Sequence, residues 1–210
     1  MEYTEYGKQR DAWPRTGRHI MAYYDDSSIA VYQAYHPGIA GFAEKNQYFG
    51  GGGFGYSRMS WIKPNFLWMM YRAGWARKEG QERILRITLG LTFFEEILEA
   101  AVESHFDPDR YISREDWNKA TETSDVRLQW DPDHDPAGRP LERKAIQLGL
   151  RGGMLKRYGR DEIIKIEDIT GFVVEQREKL DAGNINEIML PLEREYIPSS
   201  QRALKNIGLV

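Results

Sequence analysis

The run Phe66-Leu67-Trp68-Met69-Met70-Tyr71 has no polar face. A helix built on it must be covered on every side. Six such residues are far too few to cross a bilayer, which takes roughly 18 or more. The rest of the chain therefore has to build a core around this segment. At 210 residues it is long enough to do so. With no cysteine it does so without disulfides, and it has no thiolate metal site or thiol nucleophile. A hydrophobic share of 41% beside a charged share of 29% excludes disorder and a coiled coil. The N-terminus, Met1-Glu2-Tyr3-Thr4-Glu5-Tyr6, has neither the basic nor the apolar region of a signal peptide. A soluble, cytoplasmic protein with no membrane partner is expected.

Punctuation and periodicity divide the chain into mixed elements. Residues 1–18 read as a leading arm, 19–198 as one globular domain and 199–210 as a tail. Strands are expected over 28–35, 84–89, 126–130, 144–150, 162–169 and 185–190, where β formers alternate or run between turn residues. Helices are expected within 37–49, over 64–75 with Pro64 in the first turn, and over 92–106 behind a Thr92/Glu95 capping box. Further helices are expected over 113–122, 152–158 and 170–183. Strands and helices alternate without a regular βαβ repeat. The expected class is α+β, a single domain whose largely antiparallel or mixed sheet is packed by helices. The glycine run 50–53 with Gly55 lacks the Gly-Lys-Ser/Thr of a phosphate loop. It reads as a mobile connection or as a lid over a ligand.

The net charge of −3 conceals two opposed blocks. Residues 95–125 carry ten acids against three bases, as a solvated helix face does. Residues 139–160 carry seven bases against one acid, grouped around Gly149, Gly152 and Gly153. Bases beside exposed backbone N–H groups suit phosphate, or scattered surface charge.

Three clusters carry candidate chemistry. In the first, Arg58, Ser60, Trp61 and Lys63 stand where the glycine loop meets the 64–75 helix, whose N-terminus would favour an anion. Trp61 offers a face for a base or nicotinamide ring, and Arg72 follows on the helix. In the second, Trp130, Asp131, Asp133 and His134 combine carboxylates with the best-placed general acid or base among four histidines. The cluster also reads as a structural turn, and its spacing fits neither an EF-hand nor a zinc motif, so no metal is expected. In the third, Arg143, Gln147 and Arg151 bracket an apolar strand in which Gln147 is the polar exception.

The chain resembles a bacterial and fungal family catalogued as domain of unknown function 4291. The matching runs are Ala22-Tyr23-Tyr24-Asp25, Val31-Tyr32-Gln33-Ala34-Tyr35, the long run from Arg58 to Trp75, Gln129-Trp130-Asp131-Pro132-Asp133-His134 and Ala145-Ile146-Gln147-Leu148-Gly149-Leu150. The resemblance covers roughly residues 18–180 and implies a single soluble domain, with no reaction attached. A weaker resemblance, at the level of layout, is to ADP-ribosyltransferases. It implies NAD in a cleft, with Tyr32, Tyr35 or Trp61 on nicotinamide; Gln33, between the two tyrosines, is a separate candidate for ligand binding. It further implies Arg18 or Arg58 on the pyrophosphate and Glu162 or Glu167 as the late acid. That class's Ser-Thr-Ser strand does not occur here.

The leading expectation is an enzyme acting on a nucleotide-containing small molecule, with an NAD-dependent transferase as its specific form. Arg58, Trp61, Lys63 and Arg72 would hold anion and ring. Gln147 and Arg151 would form the opposite wall, and His134 or a glutamate would move the proton. Two alternatives stand beside it. One is a non-catalytic RNA or single-stranded DNA module using residues 139–160. The other is a metal-dependent hydrolase around Asp131, Asp133 and His134. The oligomeric state is left open.

Overall fold

Strand pairing, rather than helix packing, organises the computed structural model, which describes residues 2–210. In chain order the elements are β1 (Tyr3–Glu5), α1 (Tyr6–Ala12), β2 (Gly17–Arg18), β3 (Ile20–Ala22), β4 (Ser28–Tyr35), α2 (Pro37–Asn46), β5 (Ser60–Ile62) and α3 (Phe66–Ala73). There follow β6 (Arg83–Gly90), α4 (Leu91–Glu99), β7 (Ala101–Glu103), α5 (Arg114–Thr123), β8 (Val126–His134), β9 (Pro140–Leu150) and α6 (Gly152–Arg160). The chain closes with β10 (Ile163–Asp168), α7 (Thr170–Asp181), a 3-10 turn (Ile185–Glu187), β11 (Met189–Pro191), β12 (Arg194–Tyr196) and α8 (Gln201–Ile207). The class is α+β, as expected.

Two sheets carry the architecture. One is antiparallel, in the order β10-β6-β4. The other has five strands and is mixed: β8 pairs antiparallel with β9, β7 lies parallel to β8, and β2 and β5 share the outer edge of β9. A single antiparallel bridge, Tyr32 to Lys63, ties β4 of the first sheet to the end of β5 in the second. Successive β4 side chains point to opposite faces. Ile29 and Val31 enter one core, and Ala30 and Tyr32 enter another that holds Phe66, Leu67, Met69 and Met70 of α3. The apolar helix is buried on all sides, as its sequence demands, except at Tyr71 and Arg72.

Several expected boundaries shift. The 64–75 helix begins later, at Phe66, with Asn65 rather than Pro64 at its start: Asn65 Oδ1 accepts the Trp68 N–H at 2.7 Å. Residues 60–62 are strand. The 92–106 helix stops at Glu99 and the chain turns straight into β7. Its capping box does not form, because Glu95 accepts instead from the Tyr196 hydroxyl and the Ser199 N–H. Strand β8 runs through Asp131 and Pro132 to His134, with a register shift there in place of the expected turn. The 185–190 strand splits into a 3-10 turn and β11. Both termini are folded onto the domain. Tyr6 and Trp13 are buried beside α1, and Ala203 and Ile207 of α8 enter the main core. Among the described residues no helix is long and apolar enough to cross a membrane.

Candidate functional site

A cleft of about 430 Å³ opens where the two sheets meet, at the Tyr32–Lys63 bridge. Each wall comes from a different element. Strand β4 supplies Gln33 and Tyr35, β5 and its approach supply Met59, Ser60 and Trp61, and α3 supplies Met69 and Arg72. Lys63 stands between β5 and α3, Gln81 lies before β6, and β8 and β9 close the far side with Gln129 and Gln147. Seven of the residues singled out in the sequence converge here: Gln33, Tyr35, Ser60, Trp61, Lys63, Arg72 and Gln147.

The polar network defines which groups are free for a ligand. Gln33 donates both amide hydrogens, to Ser60 Oγ (2.8 Å) and the Trp61 carbonyl (3.0 Å), and accepts from the Tyr158 hydroxyl (2.7 Å). It is a fixed wall strut. Tyr35 and Ser60 share a hydroxyl–hydroxyl bond of 2.9 Å. Gln147 donates both amide hydrogens, to Gln129 Oε1 (2.7 Å) and Asp131 Oδ2 (2.6 Å). An amide carries two donors and one carbonyl acceptor. The Gln147 carbonyl and the Gln129 amide therefore remain unpaired among the described residues.

The cations are also unspent. Lys63 is 5% exposed, and its ammonium has no hydrogen bond or ion pair among the described residues. Burial pushes its pKa down to about 7; the nearby Arg72 adds to this, and Asp131 opposes it. Arg72 is exposed and likewise makes no ion pair among the described residues. Arg58 does not line the cleft; it is exposed and unpaired among the described residues.

Backbone geometry explains how Trp61 comes to the wall. It sits opposite Gly149 in the β5–β9 register. A Cβ at Gly149 would lie 2.5 Å from Met59 Sδ and 3.0 Å from the Trp61 ring. Gly149 therefore gives room to the aromatic wall.

The helix end expected to bind an anion already holds one of the protein's own groups. Glu193 Oε1 accepts the Phe66 N–H at 2.6 Å, and Glu193 Oε2 accepts from Asn65 Nδ2 at 2.9 Å. The start of α6 is filled in the same way, since the Gly153 N–H donates to Asp125 Oδ2 at 2.7 Å.

Other singled-out residues have separate places. Tyr32 is fully buried, edge-on to Phe66. Asp133 and Arg143 form a buried ion pair, with Arg143 Nε donating to Oδ2 at 3.0 Å and its guanidinium over Trp13. His134 stacks on Tyr71 with centroids 3.5 Å apart, and burial holds its pKa below the ordinary value. Arg18 pairs with Glu103, and it lines a smaller adjoining cavity with Trp130 and Asp131. Trp130 Nε1 donates to the Ile207 carbonyl. Arg151 donates to the carbonyls of Thr121, Glu122 and Ser124 at the end of α5. Glu162 pairs with Arg157, and Glu167 with Arg86 and Lys165. Neither glutamate lines the cleft. Among the described residues no cluster of three or more His, Asp or Glu side chains could hold a metal ion.

Gln129, which heads the Gln129–His134 run, joins the cleft because it lies two residues before Asp131 on the same strand and opposite Gln147 in register. Glu193 carried no local signal, being 127 residues from Phe66.

Fold and site thus define an α+β domain with a cation-bearing polar cleft between two sheets. The profile of the family described as a domain of unknown function (DUF4291) matches residues 19–196, and the chain belongs to that family. A comparison with curated proteins returns no match.

Proposed function

We propose that this cleft binds a nucleotide-containing small molecule and that the protein is an enzyme acting on it. The observation that carries the reading is the pair Lys63 and Arg72, two cations on one wall without carboxylate ion pairs among the described residues. Phosphate suits them. Trp61 and Tyr35 give flat apolar surface for a base or nicotinamide ring. The Gln147 carbonyl and the Gln129 amide provide an acceptor and a donor for ring edges. NAD belongs to this ligand class. In the transferase form of the reading the candidate carboxylate is Asp131, which lines the adjoining cavity and bonds the cleft residue Gln147, whereas Glu162 and Glu167 lie elsewhere.

The nucleic-acid alternative gains nothing specific. Of the seven bases in 139–160, Arg139, Arg143 and Arg157 pair with carboxylates, Arg151 caps carbonyls, and Arg160 lies over Tyr56.

Thermal unfolding with ADP, NAD and inorganic phosphate at millimolar concentration tests the proposal. A ligand at a hundred times its Kd adds about 2.7 kcal/mol, a rise of roughly 5–10 °C for a domain of this size. The rise should grow with the logarithm of ligand concentration above Kd and should shrink in Lys63→Met and Arg72→Ala. No shift with any nucleotide overturns the reading.

A further inference from the structure

Lys63 combines three properties that anion binding alone does not need. Its side chain is almost wholly buried, it has no acceptor among the described residues, and it stands in a cleft beside a second cation. An amine deprived of water and placed near a like charge loses its proton readily and becomes a nucleophile. We propose that Lys63 forms a Schiff base with carbonyl compounds that carry an anionic group, the anion resting on Arg72. This goes beyond the nucleotide reading and needs only the same cleft.

The step balances without an oxidant or cofactor. The Lys63 nitrogen lone pair adds to the carbonyl carbon, forming the C–N bond, and the C=O π electrons move to oxygen, which takes up a proton. Nitrogen then loses one proton, the hydroxyl leaves as water with a further proton, and the resulting iminium nitrogen gives up its remaining proton. The net change is amine plus carbonyl to imine plus water. The Tyr35–Ser60 hydroxyl pair lines the cleft and gives a proton donor and acceptor for the exchange. The charged or titratable groups around Lys63 are Arg72 from α3, Asp131 from β8 and Tyr35 from β4. Arg72 is the one that favours the free amine, and Asp131 opposes it.

Two sources share this chemistry: a small oxo acid, and a nucleotide sugar with a free reducing end. The experiment treats the full-length protein at pH 7 with glyoxylate or with ADP-ribose, each with cyanoborohydride, and maps adducts by peptide mass spectrometry. At that pH a lysine with a pKa near 7 holds a free-amine fraction roughly three orders of magnitude above an ordinary lysine. Lys63 should therefore be labelled at least ~10-fold faster than any other lysine. Lys63→Arg and Lys63→Met should lose that fast adduct while keeping the wild-type far-UV circular dichroism. Fast labelling by both probes supports the proposal with nucleotide sugars included. Fast labelling by glyoxylate alone supports it for small oxo acids and excludes the nucleotide source. Labelling of Lys63 no faster than that of exposed lysines, with either probe, overturns it. ADP, which has no carbonyl to add to, reports on nucleotide binding separately through its melting shift, so either idea can fail without the other.

Discussion

Glu193 and Phe66 meet at the first turn of α3, where the Phe66 N–H donates to Glu193 Oε1 at 2.6 Å. This contact closes the helix end that the local sequence offers to a ligand. It also buries a carboxyl group, at 4% exposure, on a residue whose backbone bonds Gln9 and Trp13 near the other end of the protein.

Replacing Glu193 with Ala strands the Phe66 N–H and the Asn65 amide in a dry site. The expected loss is about 2–4 kcal/mol, since buried donors without partners cost about 1–3 kcal/mol each. Burial raises the Glu193 pKa well above the ordinary carboxylate value. The folded state then holds a proton that the unfolded state has released, so this group's contribution falls as pH rises above the carboxylate range. Glu193→Gln removes that slope. Urea unfolding should show Glu193→Gln costing less at pH 8 than at pH 5; an equal or larger cost at pH 8 refutes the assignment.

Asp133 and Arg143 are both buried, at 0% and 3% of their surface. Removing one partner leaves an uncompensated charge, so Asp133→Asn or Arg143→Met should each cost about 3–5 kcal/mol. The double replacement should cost less than the two singles added. Strict additivity in chemical denaturation would mean that the pair is not coupled.

Lys63 supplies the opposite pH signature. Burial depresses its pKa from 10.5 to about 7. Between those values the unfolded chain holds a proton that the folded one has lost, so stability from this group rises with pH across the window. Below about 7 the full cost of the buried charge is present. Lys63→Met should therefore stabilise the protein on the order of 2 kcal/mol at pH 6, with the gain fading towards pH 10. In parallel, ADP affinity should decline as pH rises through about 7 and should stay flat in Lys63→Arg. Denaturation midpoints and titrations at the two ends of this range check both statements.

Gly149 is the least conspicuous determinant of the cleft. Gly149→Ala places a methyl group 2.5 Å from Met59 Sδ, so Met59 and Trp61 must move into the cleft. Overpacking of this kind costs about 1–3 kcal/mol. Ligand affinity should fall at least ~10-fold, equivalent to about 1.4 kcal/mol. An unchanged melting shift with the best nucleotide would show that the Trp61 wall does not touch the ligand.

Local pattern carried much of the framework. Strands β4 and β6 appear where β formers alternate, and Ser113 caps α5 through the Asp116 N–H as its position suggests. The site was partly legible for the same reason. Ser60, Trp61, Lys63 and Arg72 lie within thirteen residues, so a short segment delivers one wall. The misreadings share a cause. Thr92 and Glu95 form a sound capping box on paper, but Tyr196 and Ser199 compete for the Glu95 carboxylate from a hundred residues away.

The sequence by itself determined that a helix carrying the apolar run 66–71 must be enclosed, that the fold mixes strands and helices, and that cations gather ahead of that run. Tertiary structure decided which of those charges are spent. Asp133 consumes Arg143, carbonyls at the end of α5 consume Arg151, and Glu193 and Asp125 occupy the two helix ends, while Lys63 and Arg72 face the cleft. The physical reason is that a charge or a helix end is satisfied by whichever group the fold brings within about 3 Å. Those partners lie at sequence separations that no local pattern encodes.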